Sequence, residues 1–152
     1  MNDTLQNTAE WFRKSTPTPS LKNISTQIGV HFEEVREMVI ELTGTTPEAQ
    51  VALHEAQVAL KVLGDLMKTD PTAVTCLLEN RLNLLDSLCD QIVTATGSGV
   101  FLGMNVPEAL AEVNGSNWSK FVDGEPVRDP VSQKIMKGPG YYKPNLLPFL
   151  PQ

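Results

Sequence analysis

The chain has 152 residues, 41% of them apolar, two cysteines and a net charge of −6, with a mean hydropathy of −0.14. That length suits one domain with a core of useful size, and the acidity argues against broad contact with a nucleic-acid backbone. No apolar run approaches the roughly 18 residues of a membrane span. No basic-then-apolar leader is visible, and Cys76 and Cys89 lie thirteen apart with no CxxC, so a reduced cytoplasmic protein is expected.

In chain order, residues 4–13 suit a short amphipathic helix, which the prolines of STPTPSLKN interrupt. Ile28, Phe32, Val35, Met38 or Val39, and Leu42 recur at three and four, predicting a helix from Ser25, its expected N-cap, to Leu42. Thr46 before Pro47 opens the next helix, which runs to about Lys68. After TDPT, a leucine-rich run from Ala73 is helical to near Gly97 or Gly103, and PEALAEV (107–113) forms a shorter helix. From Asn114 the prolines and glycines predict an irregular C-terminal arm, with a tight turn at Asp123-Gly124 between two short strands and a loop at Lys137-Gly138-Pro139-Gly140. The expected fold is all-α: one domain over 1–152, with four main helices and an arm over 114–152.

Two polar stripes stand out. Glu34 and Glu37 share a helix face, extended backwards by Gln27 and His31 and forwards by Glu41. In the leucine-rich run, Glu79, Asn83, Asp86 and Asp90 recur at four, three and four. That helix is apolar nearly all round, which predicts a central position and a stripe turned away from open water. Each stripe taken alone is also what a solvated face or a structural network with Arg36 or Arg81 would show. Two such helices facing one another would cage a hard cation such as Mg²⁺, the kind of site that hydrolyses phosphoanhydrides.

A third cluster is basic and polar. Ser116, Asn117, Ser119, Lys120 and Lys137 are donors of the kind a polyphosphate needs, or ordinary solubilising residues. Trp11 and Trp118 suit packing or stacking on a base. His31 and His54 have no zinc-type neighbours, and no P-loop or nucleophile elbow occurs.

Glu33-Glu34-Val35-Arg36-Glu37 matches an EExxE motif, and Asn83-Leu84-Leu85-Asp86 matches ExxD at its last position. With NISTQIGVHFEEVREM, and with SNWSK, DGEPV and KGPGYYKP in order, these segments resemble the MazG-like all-α nucleoside triphosphate pyrophosphohydrolases over most of residues 11–146. The resemblance implies Mg²⁺- or Mn²⁺-dependent cleavage between the α- and β-phosphates, giving a nucleoside monophosphate and pyrophosphate. It also implies a helical bundle that assembles as a dimer or tetramer. It assigns metal binding to Glu34, Glu37 and Asp86, with Asn83 in place of the usual Glu and Asp90 as a substitute. It makes Glu33 a catalytic residue beside Glu34 and Glu37, and places substrate on His31, Asn117, Ser119, Lys120, Lys137 and Tyr141. Asn114 stands where the family usually has His. The viral branch that turns (d)GTP into (d)GMP is the favoured type. Phosphoribosyl-ATP or dUTP/dCTP pyrophosphohydrolases, and a non-catalytic helical assembly protein, are the alternatives.

Overall fold

The computed structural model describes residues 3–131 and 133–151. It contains α1 (Thr4–Ser15), α2 (Leu21–Ile40), α3 (Pro47–Thr69), α4 (Arg81–Phe101) and α5 (Val106–Trp118), with single 3₁₀ turns at Leu78–Asn80 and Leu147–Phe149. The all-helical expectation holds. No strand forms among the described residues, because the Val122–Glu125 and Arg128–Ile135 pairs are isolated bridges. No described helix is long and apolar enough to cross a membrane. The helices fall into two compact units: Pro19–Asn80, and the residues up to Thr18 with those from Arg81 onward.

The first unit is an α2–α3 hairpin. Its opening helix starts earlier than the hydrophobic period predicts. Ser20, not Ser25, is the N-cap, in a capping box with Asn23. Ser25 is buried instead, and its hydroxyl donates to the Met67 carbonyl at 2.7 Å. The helices cross where Gly29 meets Gly64. A Cβ on Gly29 would lie 2.8 Å from the Gly64 carbonyl oxygen, and one on Gly64 3.0 Å from that of Gly29. Only glycine allows this approach, and Met67, fully buried, fills the space beside it. As expected, Thr46 caps α3 with Pro47 in its first turn. Asp70 then accepts from the Thr72 amide and hydroxyl at 2.9 and 2.7 Å. That side-chain turn leads the chain away from helix, so α4 begins at Arg81 rather than near Ala73.

In the second unit α1 packs on α5, and α5 also meets α4 and the Leu147–Phe149 turn. The last helix is longer than expected, running through Asn114-Gly115-Ser116-Asn117 to Trp118. Tertiary bonds carry it past these poor helix formers. The buried Asn114 donates to the Thr4 carbonyl at 3.0 Å and the Thr8 hydroxyl at 2.8 Å. Ser116, also buried, donates to the Tyr142 carbonyl at 2.8 Å.

The arm is ordered by contacts within this unit. Arg128 donates to the Ser15 carbonyl and the Thr16 hydroxyl, closing the end of α1. Asp123 and Gly124 both have positive φ (51° and 77°), and paired 2.9 Å bonds join Val122 to Glu125. This is the expected tight turn, of the primed hairpin type. α4 departs from expectation most. Every residue from Arg81 to Asp90 is exposed, Leu82 by 76%. Among the described elements of its unit α4 meets α5 alone, so its apolar sides are uncovered there, and the Asn83, Asp86, Asp90 stripe lies open.

Candidate metal and phosphate site

The helix crossing sets the geometry of the acidic site. Glu33 lies four residues after Gly29, and Asp65 and Lys68 lie one and four after Gly64, so all three flank the contact. Lys68 Nζ sits 3.2 Å from Glu33 Oε2 and 3.3 Å from Asp65 Oδ1. Lys61 Nζ approaches the other Asp65 oxygen at 2.6 Å. Together with Arg36, Leu60 and Gly64 these side chains line a small pocket between the helices. The Lys61 and Lys68 ammonium groups hold the Asp65 carboxyl below its usual range, and the bond to Glu33 is the main reason the Lys68 ammonium holds its proton more tightly.

Glu34 and Glu37 lie exposed on the adjoining surface of α2. Among the described residues, neither pairs with a lysine or arginine within 4.0 Å. The Glu34 carboxyl is raised above its ordinary 4.5, first by partial desolvation, then by the like charges of Glu37 and Glu33; His31 opposes the shift. A carboxylate pressed by like charges, as Glu34 is, is one that a nearby cation would favour.

The hairpin therefore brings Glu33, Glu34 and Glu37 of α2 into one unit with Asp65, an acid that the reading of the stripes passed over. Asn83, Asp86 and Asp90 belong to the other unit. Among the described residues no three His, Cys, Asp or Glu side chains converge as a ready-made metal cage. Two carboxylates, Glu33 and Asp65, share this pocket with Arg36, Lys61 and Lys68, a lining that does not fit a divalent ion. Carboxylate oxygens come from two helices, and the Lys68 ammonium stands between two of them as a cation already in place.

The donor cluster assembles at the end of α5. Lys120 Nζ donates to Asn117 Oδ1 at 2.7 Å. The Ser119 hydroxyl donates to the Ser116 carbonyl at 2.8 Å and accepts from the Tyr142 amide at 3.2 Å. Lys137 stands over the Tyr141 ring, 4.6 Å from its centroid, and the Tyr141 amide closes a turn onto the Gly138 carbonyl. Gly138 itself packs against the Lys120 carbonyl. Asn117, Ser119, Lys120, Lys137 and Tyr141 thus share one locality. The Ser116 and Ser119 hydroxyls are spent on docking the loop. Trp11 is a packing residue, its indole donating to the Asn117 carbonyl at 3.0 Å and its ring stacked on Phe121 at 5.7 Å. Trp118 meets the same ring edge-on at 5.3 Å. No family model, curated protein or solved structure matches the chain.

Proposed function

We propose that the protein is a divalent-cation-dependent nucleoside triphosphate pyrophosphohydrolase of the MazG-like kind, releasing a nucleoside monophosphate and pyrophosphate. The observation that carries this reading is the acidic row Glu33, Glu34 and Glu37 on α2, close enough that Glu37 and Glu33 both act on the Glu34 carboxyl. The order of the motifs EExxE, SNWSK and KGPGY supports it. Glu34 and Glu37 would hold Mg²⁺ or Mn²⁺. The competing ligand row is the motif-matched Asp86, with Asn83 and Asp90. The bound ion would contribute charge neutralisation on the phosphates and an acidified water. On this reading Glu33 would orient that water or accept its proton, and Lys120 and Lys137 would neutralise the phosphate tail.

Guanine nucleotides, dGTP first, are the proposed substrates, as in MazZ-type members; His31 and Tyr141 are the proposed substrate contacts. The apolar residues left exposed on α4 support a dimer or tetramer. That same helix favours a second reading, a non-catalytic assembly protein. Phosphate release with added pyrophosphatase, over a panel of nucleotides that includes dUTP, dCTP and phosphoribosyl-ATP, separates these. Turnover led by dGTP and lost in Glu37→Gln is expected. No turnover of any nucleotide leaves the assembly reading standing.

A further inference from the structure

The pocket between α2 and α3 is lined by three basic side chains, Arg36, Lys61 and Lys68, and by two acidic ones, Glu33 and Asp65. Both acids are already served. Lys68 lies 3.2 Å from Glu33 and 3.3 Å from Asp65, and Lys61 lies 2.6 Å from Asp65. Arg36 is different. Among the described residues its guanidinium makes no ion pair within 4.0 Å, and its Nε is shut off from solvent with no hydrogen-bond partner. A buried donor without an acceptor is costly, and more so on a charged group. Arginine cannot shed its proton to escape that cost. The lining therefore carries a surplus positive charge, on a group whose donors are unspent, in a chain whose net charge is −6.

We propose that this pocket is a phosphate subsite, in which the Arg36 guanidinium takes a pair of phosphate oxygens while Lys61 and Lys68 keep the two acids neutralised beside it. The planar fork of a guanidinium matches two oxygens of one phosphate and supplies charge with direction. Glu33 belongs both to this lining and to the acidic row, since its charge acts on the Glu34 carboxyl, and Arg36 is the chain neighbour of Glu37. A phosphate on Arg36 thus stands beside the carboxylates proposed to hold the metal, and a nucleotide polyphosphate is the anion that uses both. The preference for an oxyanion comes from the lining; its identification with the polyphosphate rests on the pyrophosphohydrolase reading and deepens it.

The test is calorimetric titration of the full chain with inorganic pyrophosphate in the presence of a chelator, so that no metal ion takes part. Wild type is expected to bind pyrophosphate and to ignore acetate at the same concentration. Arg36→Met is expected to bind at least roughly ten-fold more weakly, the scale of a charge-assisted, two-pronged contact. Arg36→Lys, which keeps the charge and loses the fork, is expected to fall between the two. Should the variants fold poorly, the wild type carries a second readout: the Arg36 Nε–H resonance should move as pyrophosphate is added, which a packing role alone would not produce. An unmoved resonance, a wild type that does not bind, or an Arg36→Met variant that binds like wild type overturns the subsite. Acetate bound as tightly as pyrophosphate overturns its assignment to phosphate. Pyrophosphate held through Arg36 with no turnover of any nucleotide keeps the subsite and removes the enzyme reading, whereas turnover with pyrophosphate binding indifferent to Arg36 removes the subsite alone.

Discussion

Replacing Gly29 with alanine tests the helix crossing that positions the acids. In an unobstructed helix, Gly→Ala stabilises by about 1 kcal/mol. At Gly29 the new methyl would stand 2.8 Å from the Gly64 carbonyl oxygen and 3.2 Å from both Met67 Cβ and Lys68 Cγ. The first of these is backbone and yields only if the helices separate, so the overpacking cost lies toward the upper end of about 1–3 kcal/mol. The net expectation is a loss of about 1–2 kcal/mol. Gly97 in α4 is the internal control, because a Cβ there meets nothing within 4 Å, and Gly97→Ala is expected to gain about 0.5–1 kcal/mol. Urea unfolding followed by circular dichroism, at equal slopes, measures both. A Gly29→Ala variant as stable as Gly97→Ala would refute the close crossing, and with it the placement of Glu33 against Lys68 and Asp65.

Other expectations follow from the same geometry. A carboxyl raised in the fold binds its proton more tightly than in the unfolded chain. Glu34 therefore lowers stability as pH climbs from the ordinary 4.5 through its raised value, and Glu34→Gln should flatten that part of the stability–pH curve. Mn²⁺ affinity should rise over the same window in the wild type, because the ion needs the ionised form; an affinity flat with pH would contradict Glu34 as a ligand. Glu37→Gln should weaken Mn²⁺ binding at least ten-fold if the α2 row supplies the ligands, whereas a loss confined to Asp86→Asn would assign the site to the α4 row instead. Leu82→Glu, at a side chain 76% exposed, should lower the mass seen by light scattering if α4 joins copies of the chain. An unchanged mass would remove α4 from the interface.

The elements were legible where local chemistry decides them. Thr46-Pro47 marks the start of α3 because both residues suit a helix entrance whatever surrounds them. Asp123-Gly124 marks its turn for the same local reason. Ser20 was passed over because hydrophobic spacing begins only at Ile28, while the capping box lies a full turn and more ahead of it. The extension of α5 was illegible because Asn114 and Ser116 owe their helical state to Thr4, Thr8 and Tyr142, distant in sequence. Asp65 belongs to no stripe of acids; Lys68 links it to Glu33 beside a crossing of glycines. The available signal was the small residues Ser25, Gly29 and Gly64, which mark a helix–helix contact with charged residues at its edge.

The central claim is the reaction itself, and product identity tests it most directly. With dGTP and Mg²⁺, phosphorus NMR should show dGMP and pyrophosphate appearing in equal amounts, with neither dGDP nor inorganic phosphate formed. Formation of dGDP with phosphate, or a spectrum unchanged on prolonged incubation with every nucleotide tried, would contradict it.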